Sequence, residues 1–339
     1  MTHRFSIMLL VAIVCFAMVK PKKDPVVIPV PKGWPKPTYD FKKNPLNEAT
    51  IELGRQLFYD TVLSRNNQVS CANCHLQQTA FTHIDHALSH GIEDRIGNRN
   101  SPALVNLAWG KLFMWDGAVN HLDVQALAPI ENHLEMDEKI AHVVQKLQSS
   151  KTYRSRFYKA FGDSTVTGER TLKSISQFLL SLVSTNSKYD QVMRKENGVQ
   201  FSESEQKGYE LFKKHCASCH TEPLFTNGLF ENNGLIPDST LNDIGRMGIT
   251  HRSSDSLKFK VPTLRNIERS PPYMHDGRFR NLQMVLFHYS NGIHASPTLS
   301  PQLKNAIALN EQEKGCVIAF LKTLTDTEFL MNPKYGYPK

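Results

Sequence analysis

Cys71-Ala72-Asn73-Cys74-His75 and Cys216-Ala217-Ser218-Cys219-His220 decide how this chain folds. Both read Cys-x-x-Cys-His. Two thiols at that spacing share one helical turn, where they can add to the two vinyl groups of a haem, and the imidazole of the next residue then reaches the iron as its proximal ligand. A redox dithiol or half of a zinc site would use the cysteines but has no need of the histidine in both copies. The chain holds six cysteines. Of the remaining two, Cys15 falls in the N-terminal leader and Cys316, on a helical face, reads as a buried thiol without a role.

Outward from these motifs, Gly54-Arg55-Gln56-Leu57-Phe58 precedes the first and Gly208-Tyr209-Glu210-Leu211-Phe212 the second. Each closes a helical pattern that would lay a small residue and two apolar ones over a macrocycle, so the motifs belong to an internal repeat. Phe212 stands close to its motif and Phe58 farther from its own, which a loop inserted in the first copy explains. The expected fold class is all-α: two cytochrome c-like haem domains related by an internal repeat, with long loops. Residues 45–197 are assigned to the N-terminal haem c domain and 198–339 to the C-terminal one, the boundary falling around Lys195 to Gln200. Helical spacing is carried by Ile140, Val143, Val144 and Leu147, by Leu172, Ile175, Phe178, Leu179 and Leu182, and by Val317, Leu321 and Leu324. Thr221 to Pro262, rich in Gly, Asn, Asp and Ser, reads as a long functional loop.

The chain has 339 residues, 40% hydrophobic and 21% charged. That composition excludes a mostly disordered chain, a collagen-like repeat and a polytopic membrane protein. The net charge of +8 comes without a run of like charges or a nucleic-acid motif, so no nucleic-acid partner is expected. His3 and Arg4 precede an apolar run from Phe5 to Val19, and residues 1–20 read as a signal peptide or N-terminal anchor, with cleavage after Ala17 and acylation at Cys15 both left open. Residues 21–44 form a Pro-rich, extended linker. Export to the periplasm is expected, because covalent haem attachment happens outside the reducing cytoplasm; membrane anchoring through the leader stays open.

A haem held by one histidine carries electrons if its sixth position is filled, and catalyses if that position is open beside an acid or base. His83, His86 and His90 follow closely behind His75, and His90 is the preferred sixth ligand because Gly91 after it permits a sharp turn. Glu135, flanked by Leu134 and Met136, would have the raised pKa that suits proton transfer between peroxide oxygens. Read alone, Glu135 is more simply a helix-start acid and Trp115 a core residue.

From about Pro45 to Thr325 the chain resembles the bacterial di-haem cytochrome c peroxidase and MauG-like superfamily. The likeness rests on CxxCH, WDG, QALxPIENxxEM, GxxLFxxxCxxCH and VPTLRNIxxSPPYMHDG, in that order. The resemblance implies two covalently bound haem c groups, ligated by His75 and His220, with Trp115 between them and Gln125, Pro129 and Glu135 beside the peroxide-binding haem. It also implies one Ca²⁺ held by Asn100 with the carbonyls of Ser270 and Pro272, and Arg265 as a haem-propionate partner. Where the peroxidase branch has a methionine as sixth ligand of the second haem, this chain has Tyr289, as MauG-like enzymes do. Leu282, Val285, Leu286 and Tyr289 share a helical face, with Met284 and His288 on the neighbouring stripe. His90 points instead toward the peroxidases. The reading implied is a peroxidase reducing H₂O₂ to water with electrons from a small cytochrome c or cupredoxin. The alternatives are a MauG-like oxidase acting on a partner protein or small molecule, and a non-enzymatic di-haem electron carrier. A homodimer is left open.

Overall fold

The computed structural model describes residues 26–196 and 198–338. The leader, Cys15 included, and the start of the Pro-rich linker lie outside the described residues. Among the described residues no helix is long and apolar enough to cross a membrane.

The helix Glu48–Tyr59 starts where the Asn47 side chain accepts a hydrogen bond from Thr50 N at 2.9 Å. Its Leu53, Leu57 and Phe58 are buried, each contributing roughly 1.5–3 kcal/mol by the apolar surface removed from water. This face crosses the helix Gly168–Ser181, and the crossing point is Gly54. A Cβ there would lie 1.9 Å from Ser174 O and 3.0 Å from Phe178 Cβ, so only glycine lets the two backbones approach. The second half repeats the joint. The helix Glu203–His215, opened by a Ser202/Glu205 capping box, crosses Glu311–Lys322 at Gly208, where a Cβ would lie 1.9 Å from Cys316 O and 2.9 Å from Phe320 Cβ. The internal repeat is thus a repeat of tertiary contact, and Cys316 serves it through its backbone.

Each half has its own apolar core. Phe58 packs on Phe178 at 5.2 Å between ring centroids in the first, and Phe212 on Phe320 at 5.1 Å in the second. The helix Lys188–Met193 places Tyr189 in the second core, ahead of residue 198, while Thr327–Met331 returns Phe329 and Leu330 to the first. The intervening Ser184 is held from both sides: Asn106 Nδ2 donates to its carbonyl and Asn266 Nδ2 to its hydroxyl, each at 3.1 Å. Asp326 accepts from Ser184 Oγ, Thr185 N and Asn186 N, which ties the connection between the halves to the C-terminal segment.

The fold is helical, and the sequence periodicities fall on Ile140–Ser149, Gly168–Ser181 and Glu311–Lys322, with Leu182 and Leu324 just beyond the last two helix ends. The stretch from Thr221 to Pro262 is less irregular than its composition suggests. It contains the helix Met247–Thr250 and an antiparallel pair, Phe230–Glu231 with Phe259–Lys260, too short to show alternation.

Candidate functional site

The two Cys-x-x-Cys-His turns are built alike. His75 Nδ1 lies 2.7 Å from Phe81 O; a carbonyl only accepts, so the proton sits on Nδ1 and Nε2 is left free for a metal. Burial lowers the His75 pKa to about 4, which keeps the ring neutral as ligation requires. His220 Nδ1 is shared between Phe225 O at 3.1 Å and Pro262 O at 3.2 Å, and burial lowers it too. Phe81 and Phe225 both adopt left-handed backbone (φ 58° and 55°), turning their carbonyls onto the histidines. Burial pushes the Cys71 and Cys216 thiols up to about 12, the opposite of a reactive dithiol.

Around the second motif lies a cavity of about 1560 Å³, its open mouth included. Cys216, Cys219 and His220 line one part; Leu282, Val285 and Tyr289 line another. An apolar chamber with two thiols and a neutral imidazole suits a covalently held haem. The helix Leu282–Phe287 runs on into a π-helical turn, His288–Gly292, and this turn brings Tyr289 to the cavity. The neighbouring stripe does not compete. Met284 is 41% exposed, and His288 Nε2 is engaged with Asn233 O at 3.0 Å. Burial raises the Tyr289 hydroxyl to about 12, partly offset by an Asn233 hydrogen bond, so only a cation at its oxygen would ionise it. Met274 also lines the cavity, its sulfur accepting from Asn233 Nδ2 at 3.3 Å.

Beside the first motif, Glu135 sits on a tight turn after the helix Leu127–Glu131. Met136 N donates to Pro129 O at 3.2 Å, Glu135 N to Asn132 O at 3.0 Å, and Asn132 Nδ2 to Glu135 Oε1 at 2.7 Å. Burial raises the Glu135 carboxyl above its ordinary value, and the Asn132 amide pulls the other way. The carboxylate is near enough to Cys71 and Cys74 to raise both thiols. His90 approaches the same place: its carbonyl lies 3.5 Å from Cys74 Sγ, and the ring packs 4.2 Å from His86, which stacks on His83 at 5.2 Å. His83 Nδ1 is buried without a hydrogen-bond partner. Gly91 does not make the sharp turn expected of it; its φ is −105°. It is glycine because a Cβ would lie 2.1 Å from Leu134 O and 2.5 Å from Glu135 Cα. That close approach, with Ile92 N donating to Glu135 O at 2.8 Å, locks the histidine loop to the Glu135 turn. Gln125 donates from its amide to Met114 Sδ at 3.5 Å, next to Trp115 in the chain.

Trp115 joins the halves. Its Nε1 donates to Asn100 O at 2.8 Å, while Asn100 N donates to His275 O at 2.7 Å. Trp115 and His275 occupy matching turns, Phe113-Met114-Trp115-Asp116-Gly117 and Tyr273-Met274-His275-Asp276-Gly277, with Met114 and Met274 both left-handed (φ 67° and 77°), as are Gly117 and Gly277. The repeated aromatic-Met-x-Asp-Gly string was the sequence signal for this further level of duplication. Asn100, Ser270 and Pro272, the candidate Ca²⁺ ligands, line the second cavity together; Asn100 Nδ2 donates to Ala87 O, leaving Oδ1 as its oxygen donor. Arg265 departs from its expected place beside a propionate. It is 1% exposed and does not line the second cavity; it is paired through both terminal nitrogens with Asp190 at 2.9 and 2.8 Å and donates from Nε to Pro223 O, which takes three of its five N–H donors.

Residues 48–198 match the family model for di-haem cytochrome c peroxidase, and residues 205–325 match that for cytochrome c. The chain is 34% identical over 290 residues to the methylamine utilization protein MauG of Methylorubrum extorquens, covering 84% of this chain and 80% of that one. It is also 34% identical over 285 residues to the cytochrome c551 peroxidase of Nitrosomonas europaea, covering 83% and 81%. A crystal structure of a MauG-like protein associated with microbial copper homeostasis superposes with a TM-score of 0.79 at 31% identity, covering 91% of this chain and 98% of that one. With two buried haem-binding turns, a duplicated helical frame and these relatives, the chain belongs to the di-haem cytochrome c peroxidase and MauG family, whose haem c groups are covalently bound.

Proposed function

We propose that this protein is a di-haem c-type peroxidase that reduces H₂O₂ to water. The observation that carries the reading is the buried Glu135 carboxyl, pinned by Asn132, Pro129 and Ile92 beside the thiols of the first haem-binding turn. A haem held at Cys71, Cys74 and His75 would supply the redox equivalents for O–O cleavage there. Glu135 removes the proton from the inner peroxide oxygen and returns it to the departing one, which needs a carboxyl whose pKa lies nearer neutrality than that of a solvated glutamate. Gln125 and Pro129 shape the pocket, Trp115 links the two halves for electron passage, and His90 is the candidate sixth ligand of the first iron. Asn100, Ser270 and Pro272 are the candidate oxygen donors for Ca²⁺. A small cytochrome c or cupredoxin in the periplasm is the proposed donor, entering at the His220 haem. One observation favours a second reading, a MauG-like oxidase: Tyr289 faces the second cavity, and an anionic oxygen ligand would lower that haem's potential and make it a poor acceptor from an ordinary donor.

Stopped-flow absorbance of the half-reduced protein mixed with H₂O₂, with and without a reduced small cytochrome, tests this. Two donor electrons rapidly consumed per peroxide is the expected result. A long-lived oxidised protein that ignores the donor overturns the peroxidase reading in favour of the oxidase.

A further inference from the structure

The wall shared by the second cavity and Trp115 carries a buried cation. Lys260 ends the strand Phe259–Lys260, and its backbone N–H donates to Trp115 O at 2.7 Å. Its Nζ donates to Leu112 O at 3.1 Å and stands 5.9 Å from the centroid of the Phe113 ring. Lys260 and Trp115 both line the cavity that holds Cys216, Cys219 and His220. Among the described residues Lys260 forms no ion pair within 4.0 Å. The carboxylate whose field reaches it is Asp116, but both oxygens of Asp116 are engaged: Oδ2 accepts from Arg99 at 2.5 Å and Oδ1 from Ala118 N at 2.9 Å. Glu231, also on the cavity wall, accepts from Ser300 Oγ.

An ammonium buried against one backbone carbonyl and an aromatic ring is unfavourable, and burial, only partly offset by the charge of Asp116, lowers its pKa to about 8. A neutral side chain would hold the Leu112 carbonyl at less cost. The charge is accounted for if an anion completes the site, and the haem c that the cavity fits brings two propionate carboxylates. We propose that Lys260 binds a propionate of the haem attached at Cys216 and Cys219, and that its charge raises the reduction potential of that haem on the side facing Trp115. The inference rests on haem attachment at the second motif, and deepens the proposed function by naming a residue that sets the driving force for electron passage between the halves.

The test uses the holoprotein and its Lys260→Met, Lys260→Gln and Lys260→Arg variants, read by spectroelectrochemistry of the second haem. Loss of the cation leaves the propionate charge uncompensated and favours ferric iron. Met and Gln are therefore expected to raise the ferric-to-ferrous ratio at fixed potential about tenfold, which is about 59 mV for a one-electron couple, while Arg stays close to wild type. Gln keeps a donor for Leu112 O, so a Gln variant that titrates like wild type means Lys260 only holds that carbonyl, and the proposal fails. If the neutral variants do not accumulate, the propionate-bending band in resonance Raman spectra of wild type and Lys260→Arg decides: a shifted band supports the pairing and an unchanged one overturns it. Absence of haem at the second motif in wild type would instead refute the di-haem reading, and the haem absorbance of the purified protein separates the two failures.

Discussion

Replacing Glu135 by Gln keeps the shape of the side chain and removes its ability to accept a proton. General acid-base groups contribute about 10²–10⁴ in rate, and at about 1.36 kcal/mol per factor of ten this is about 2.7–5.4 kcal/mol of barrier. The bimolecular rate with H₂O₂ should fall by that factor in Glu135→Gln, while cyanide, which binds iron without needing the carboxylate, should bind the first haem as before. The pH profile carries another signature. Burial raises the Glu135 carboxyl and the Asn132 amide, 2.7 Å away, lowers it. The active form is the carboxylate, so the rate falls as pH drops through the raised pKa. In Asn132→Ala the carboxylate loses its donor, its pKa rises further, and the acid limb moves to higher pH. Stopped-flow traces at excess peroxide across the pH range measure both. A Glu135→Gln protein within a few-fold of wild type, or an acid limb that stays in place without Asn132, would refute the assignment of the carboxyl as the proton carrier.

Other outcomes follow from the same geometry. Tyr289→Met exchanges an oxygen donor for a thioether, which favours ferrous iron, so the second haem's midpoint potential should rise; an unchanged potential by spectroelectrochemistry would mean Tyr289 does not reach the iron. Gly208→Ala forces a methyl to within 1.9 Å of Cys316 O and should cost about 1–3 kcal/mol or more. Gly315→Ala, on the partner helix with nothing within 4 Å of the new Cβ, should instead gain about 0.5–1 kcal/mol; thermal melts of the pair check both. Asp190→Ala strands the buried Arg265 and should cost about 3–5 kcal/mol in denaturant melts. Burial would raise the Asp190 carboxyl, but the Arg265 hydrogen bonds and charge hold it below its ordinary value, so its stabilisation is present above the usual carboxylate range and is lost as pH falls through the depressed pKa. Melts that show no acid loss attributable to this pair would contradict that sign.

The haem turns and their helices were legible because each is a local signal: Cys-x-x-Cys-His fixes the attachment, and the periodic faces around Gly54 and Gly208 fix the crossing. Tyr289 was legible as a face but not as a direction, since the π-helical turn at His288–Gly292 leaves no mark in the hydrophobic period. Gly91 and Arg265 show the limit of local reasoning. Beside its immediate neighbours Gly91 suggests a turn, yet it is a contact across the chain. Arg265 reads locally as a cation awaiting a ligand, yet it is matched by Asp190, far away in sequence. Lys260 and the strand that carries it were missed because two residues of strand give no pattern, and a buried charge is indistinguishable from an exposed one until the fold places it.

The return of Phe329 and Leu330 to the first core means that the second half is stitched to the first at both of its ends, by the segment around Ser184 and by Thr327–Met331. Together with the link through Trp115, Asn100 and His275, these ties restrict how far one half can rock against the other. Electron transfer falls off steeply with separation. A chain cut after Asp326 is expected to keep both Cys-x-x-Cys-His turns while losing one of the ties that set the separation of the halves, and so to slow electron passage between them.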